Sequence, residues 1–251
     1  MGEPSKPLAY YATLQHAQWM LTTDGHYLRA IQRGSVDAAV RMFRDYNVAR
    51  TIWGNGGLAR LARSVMESSE PWPKSLAERA QWCRRRAEED DRALSQNRGR
   101  KQGAPYSAVT KLCWFLRPHG WTMYDRFARL GLSGPADIEA FYHELEQHDF
   151  SIKAAELNDI AAQFGLGNLF GERIIDKFLM LRGIYWKGSP EAASSILQSL
   201  DHFVDQLGEM HNAGREMANA LVRLAERACE VLPDNSFWTH YAAYLNEKRA
   251  H

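Results

Sequence analysis

Two side chains near the middle of the chain have the types that acid–base and nucleophilic chemistry require. Lys111 is the one lysine in the apolar run 106–116, and Asp125 closes the short segment Trp121-Thr122-Met123-Tyr124, 14 residues further on. A fixed carboxylate stabilises developing positive charge or takes a proton. An amine attacks carbon when desolvation or a cationic neighbour leaves its lone pair free. Each residue also has a plain structural reading: Asp125 as a helix N-cap, Lys111 as a lysine on a solvated helix face. Two glycine-containing turns add further candidates. Arg98-Gly99-Arg100-Lys101-Gln102-Gly103 is basic, and Ile52-Trp53-Gly54-Asn55-Gly56-Gly57 sets an aromatic ring and an amide where backbone can approach a ligand.

The elements that must position these groups are helical. Apolar residues recur three and four apart in 76–96, in 136–150 and in two stretches of 190–231. Pro and Gly fall between such segments: Pro71 and Pro73, Pro118 and Gly120, Gly165 and Gly167, Gly188 and Pro190. Sustained alternation is missing, as is any strand–glycine-loop–helix signature, which argues against Rossmann and P-loop folds. Caps are expected at Thr23-Asp24 for a helix beginning near His26, at Ser133 or Asp137, and at Ser189-Pro190. The central stretch reads as a helix from Tyr106 to Leu116, a break at Pro118-His119-Gly120, an extended piece to Tyr124 and a new helix at Asp125. Residues 235–248 read as a further aromatic-rich helix. The fold class is therefore all-α, with roughly ten helices, and 251 residues suit one two-lobed unit.

Composition narrows the function classes. Net charge is +1 from 31 basic and 30 acidic side chains, so nucleic-acid binding would depend on local clusters. Arg84-Arg85-Arg86 followed by Glu88-Glu89-Asp90-Asp91 reads as an ion-paired exposed helix face. Cys83, Cys113 and Cys229 have no metal-ligand spacing and read as free thiols in a reducing compartment. His16, His26, His119, His143 and His148 likewise show none. No metal site, no cofactor, no membrane span and no signal peptide are expected, and the expected location is cytoplasmic.

Residues 99–132 resemble the 8-oxoguanine glycosylase branch of the helix-hairpin-helix DNA glycosylase superfamily. Phe115-Leu116-Arg117-Pro118-His119-Gly120 followed by Thr122-Met123-Tyr124-Asp125-Arg126-Phe127 is similar to that family's FLRN-G run and its aspartate-arginine helix start. By this resemblance the helix-hairpin-helix-like element spans about 85–132, Asp125 is the catalytic aspartate and Lys111 the catalytic lysine. Two features differ from the family. The Lys111–Asp125 separation is several residues short, and the family's lysine position falls nearer Ser107, one turn away. Gly103-Ala104-Pro105-Tyr106 also stands where the family has Leu-Pro-Gly-Val-Gly. The lysine has moved by a turn, or the nucleophile is lost.

The resemblance implies an enzyme that flips a modified base out of double-stranded DNA and cleaves its N-glycosidic bond, leaving an abasic site. Strand nicking through a lysine Schiff base stays open. Trp53, Asn55, Trp114, Trp121, Tyr124 and Trp186 are candidates for the base pocket. Arg98, Gly99, Arg100, Lys101, Gly103, Ser107 and Arg126 are candidates for phosphate contacts. Divergence from the family motif suggests a bulky substrate base, such as glucosylated hydroxymethylcytosine in phage DNA, and a role in anti-phage defence. A monomer is expected. The alternatives are a non-catalytic helix-hairpin-helix DNA-binding module and an all-helical interaction protein.

Overall fold

A computed structural model describes residues 6–49, 52, 56–98, 104–132, 134–186 and 190–234, with the side chains of 91–98 and 185–193 outside that description. Among the described residues twelve helices and no strands occur: α1 (Leu8–Thr22), α2 (Asp24–Gln32), α3 (Val36–Asp45), α4 (Gly57–Met66), α5 (Leu76–Arg98), α6 (Tyr106–Leu116), α7 (Arg126–Gly131), α8 (Ile138–Gln147), α9 (Phe150–Gln163), α10 (Gly171–Trp186), α11 (Pro190–Glu209) and α12 (Asn212–Val231). The all-α expectation is met. No described helix is long and apolar enough to cross a membrane. The chain divides into two compact units, one of Leu21–Tyr124 and Asp137–His143, the other of Met1–Met20, Asp125–Ala136 and Glu144–His251.

The first unit is built around α6. Helices α2, α4 and α5 pack on it, and all residues from Ala108 to Phe115 are buried. A helix apolar on nearly every side has to be enclosed in this way. Pro105 precedes its first turn, where a missing N–H costs nothing, and Pro118 keeps Arg117 out of helical geometry at its end. Helix α5 opens with a reciprocal capping box: Glu78 N donates to Ser75 Oγ (3.2 Å), and Ser75 N donates back to Glu78 Oε2 (3.2 Å). The Ser75 hydroxyl, which also donates to Glu78 Oε2 (2.8 Å), and then the Ser75 N–H hold the Glu78 carboxyl below its ordinary pKa. The arginine run on α5 is ion-paired as its sequence suggests, Arg84 to Glu88 and Glu139, Arg85 to Glu70, and Arg86 to Glu70 and Glu89.

The second unit is built around α10, which packs against α7, α9 and α11. Helices α7 and α10 meet backbone to backbone. A Cβ on Gly131 would lie 1.9 Å from Leu179 O, and one on Gly183 would lie 2.0 Å from Phe127 O. Only glycine permits that approach, so these two positions set how closely α7 lies against α10.

One helix start differs from expectation. Thr23 makes no side-chain cap bond, because the break between α1 and α2 is a single residue and Thr23 itself has near-helical torsions. Asp24 receives instead the hydroxyl of Tyr46, a residue 22 positions away. Asp137, one of the two caps expected there, opens α8 by accepting from Ala140 N (2.9 Å). Ser133, Ser189 and the aromatic-rich segment 235–248 lie outside the described residues.

Candidate active site

Lys111 sits midway along α6 and is 3% exposed. That burial sets aside its reading as a lysine on a solvated face. Its Nζ donates to Ser107 Oγ one turn earlier, at 3.3 Å, so the two residues share one side of the helix as their spacing requires. The ammonium also stands 5.7 Å from the centroid of the Tyr46 ring, an attraction that offsets part of the cost of removing a charge from water. Tyr46 in turn donates its hydroxyl to the wholly buried Asp24. Tyr46 and Tyr27 both pack edge-on against Phe115, at 5.8 and 6.1 Å. The Tyr27 hydroxyl is bonded to Asp45, and burial together with that carboxylate pushes its pKa up to about 12. An amine, a serine hydroxyl and a tyrosine–aspartate pair thus converge on one side of α6.

The segment that leads from α6 to Asp125 is fastened to the same helix. Trp121 Nε1 donates to Thr110 O (3.1 Å), and Tyr124 N donates to Thr110 Oγ1 (3.2 Å). Thr122 O accepts from the Tyr142 hydroxyl (2.8 Å), and the Trp121 and Tyr142 rings are stacked 4.2 Å apart. Thr110 therefore occupies a hub on the turn next to Lys111. Gly120 completes the turn with φ +64°.

Asp125 is half-buried and caps α7. Its Oδ1 accepts from both Phe127 N and Ala128 N at 2.9 Å. The capping reading of Asp125 is therefore correct as far as it goes. Two backbone donors also fix the carboxylate's orientation, which a catalytic carboxylate needs. Arg126, beside it, is exposed.

The other candidates are distributed unevenly. Trp114 and Trp121 are wholly enclosed, the first edge-on to Phe115 at 5.0 Å and the second stacked on Tyr142, so neither offers an open face. Tyr124 is 8% exposed and packs edge-on to Phe141 at 5.4 Å. Ser107 is half-buried and engaged by Lys111. Trp186 and Arg98 end α10 and α5, with side chains outside the described set. Trp53, Asn55, Gly99, Arg100, Lys101 and Gly103 all lie outside the described residues. The Cys83 and Cys113 thiols are buried 3.7 Å apart, and burial pushes Cys83 well above its ordinary value, away from nucleophilic use. Among the described residues no cluster of His, Cys, Asp or Glu could hold a metal ion.

Sequence reasoning missed a second concentration of ionisable groups, in the other unit. Glu172, Arg173, Asp176, Lys177 and Arg182 of α10 are each 1–3% exposed. Arg173 is paired with Asp176. Lys177 Nζ lies 3.5 Å from the centroid of the Trp19 ring. His16, wholly buried, accepts from Phe170 N at 3.0 Å through Nε2. Burial, then Arg173 and Lys177, hold its pKa well below the ordinary 6.5. Asn158 bridges the start of α10, accepting from Gly171 N (2.8 Å) and donating to Glu172 Oε2 (3.2 Å). The sequence signal was the spacing of Glu172, Arg173, Asp176 and Lys177, which puts four charges on one side of the helix.

Comparison of the chain with protein-family models, with curated proteins and with solved structures finds no match.

Proposed function

We propose that this chain is a DNA glycosylase that takes a modified base out of the duplex and breaks its N-glycosidic bond. The observation that carries the reading is the buried Lys111 amine on α6. It is supported by the doubly hydrogen-bonded Asp125 carboxylate, at the end of a segment fastened to that same helix. As the C1′–N bond breaks, electrons leave with the base and positive charge builds on the sugar. The Asp125 carboxylate stabilises that charge and takes the proton from attacking water. If Lys111 attacks in place of water, its nitrogen bonds to C1′ as the base leaves and gives up a proton to Asp125. The C1′–O4′ bond then opens with O4′ taking that proton, and the resulting imine permits elimination of the 3′-phosphate. The candidate substrates are oxidised purines, by the resemblance to the 8-oxoguanine branch, and bulky modified cytosines such as those of phage DNA.

The test is abasic-site formation on duplexes carrying 8-oxoguanine, uracil, alkylated bases or glucosylated hydroxymethylcytosine. Wild type should release one of these bases, and Asp125→Asn should lower the rate by a factor on the order of 10² or more. Borohydride should trap a covalent adduct with wild type but not with Lys111→Met, if the amine attacks. A second reading, a non-catalytic DNA-binding module, is favoured by the cap bonds of Asp125, which a purely structural role also explains. It requires DNA binding without abasic sites on any duplex.

A further inference from the structure

The connection between α4 and α5 forms a groove with none of Lys111, Ser107 or Tyr46 on its walls. Trp72 and Lys74 come from the connection. Glu78, Gln81, Trp82 and Arg85 come from α5, at spacings that put them on one helix face. Together they line a solvent-open cavity of about 480 Å³, flanked by Pro71 and Pro73. Trp82, 4% exposed, forms the floor, and the half-buried Trp72 stands edge-on to it at 5.3 Å.

The walls are preformed. Arg79 Nε donates to Pro73 O (2.8 Å), and the same guanidinium donates to Gly120 O, so one side chain ties the connection to the turn before Trp121. Trp72 is also edge-on to Trp121, at 5.6 Å. The two prolines restrict the backbone on either side of Trp72.

Charge identifies the occupant. The guanidiniums of Arg79 and Arg117 lie 5.6 and 5.2 Å from the Trp72 ring centroid, and that of Arg86 lies 5.2 Å from Trp82. Lys74 and Arg85 stand on the exposed rim. Facing these cations are Glu70 and Glu89, which pair with Arg85 and Arg86, and Glu78, which is engaged by its own capping box. The surplus is positive. A proline-rich peptide would use the tryptophans and gain nothing from the cations, and a bare phosphate would use the cations and not the tryptophans. An aromatic base joined to a phosphate uses both, with the Gln81 amide available to its polar edge.

We infer that this groove is a nucleotide-binding subsite that takes one base and its phosphate from a DNA strand. The inference rests on the DNA-glycosylase reading only for the choice of DNA as the strand.

The probe is a fluorescein-labelled, unmodified oligothymidylate, titrated into the full chain and read by anisotropy. Lys74→Glu combined with Gln81→Ala changes only exposed side chains and should weaken binding about 10-fold, with an unchanged melting temperature. Substituting 5-iododeoxyuridine should direct ultraviolet crosslinks to Trp72 or Trp82. Wild-type affinity in the double variant would overturn the subsite, as would crosslinks confined elsewhere. So would displacement of the oligonucleotide by polyphosphate at equal charge, or by a proline-rich peptide. The oligonucleotide carries no excisable base, so the two readings fail separately. Abasic-site formation with unaltered strand binding in the double variant removes the subsite alone. Crosslinks at Trp72 without base release on any duplex remove the glycosylase alone.

Discussion

Helix α6 buries every residue from Ala108 to Phe115 with one charged side chain among them, whereas α10 buries five charged side chains along a single helix. The charges of α10 include both signs, and Arg173 and Asp176 are paired within the helix. Such a set answers its own desolvation cost only while it is complete. Lys111 is placed differently. It meets a serine hydroxyl on its own helix and a tyrosine ring from the neighbouring segment. The difference separates a helix that buries a mixed-sign set of charges from one that buries a single charge among apolar residues.

Breaking the α10 pair should have the largest effect. Asp176→Ala leaves the Arg173 guanidinium buried beside a lost carboxylate and should destabilise the protein by about 3–5 kcal/mol, read from denaturant unfolding. A loss near zero would show that these charges are not a folding device.

A smaller effect should appear with acid. His16 is held neutral in the folded state, with its pKa below 6.5, by burial and by Arg173 and Lys177. The unfolded chain takes a proton near 6.5 and the folded one does not. The contribution of His16 is therefore fully present above that value and is lost as pH falls through it toward the folded pKa. Melting temperatures between pH 7.5 and 5 should fall more steeply for wild type than for His16→Gln, whose amide can still accept from Phe170 N. Parallel curves would show that His16 is not part of the electrostatic balance of α10.

The smallest effect belongs to α6. Lys111→Met replaces a buried amine with an apolar chain of similar length. It should leave stability within about 1 kcal/mol of wild type, or above it. A loss as large as that of Asp176→Ala would make Lys111 a structural charge and erase the contrast on which its assignment stands.

Much of the candidate site was legible from local pattern. The span of α6, the break at Pro118-His119-Gly120 and the start of a helix at Asp125 are where the residues indicate, because propensity, proline geometry and capping act over a few neighbouring positions. The shared face of Ser107 and Lys111 followed from helical spacing alone. The burial of Trp114 and Trp121 did not, since an aromatic residue serves a core or a pocket with equal ease and only its neighbours decide.

What the sequence determined by itself was the class of fold, most helix spans and the carboxylate at the head of α7. What the tertiary structure decided was which polar groups leave water. Asp24 meets Tyr46, Trp121 meets Tyr142, and the charges of α10 meet Trp19 and His16 of α1 and Asn158 of α9. Desolvation depends on every surface that packs against a group, and those surfaces come from parts of the chain that no local window contains.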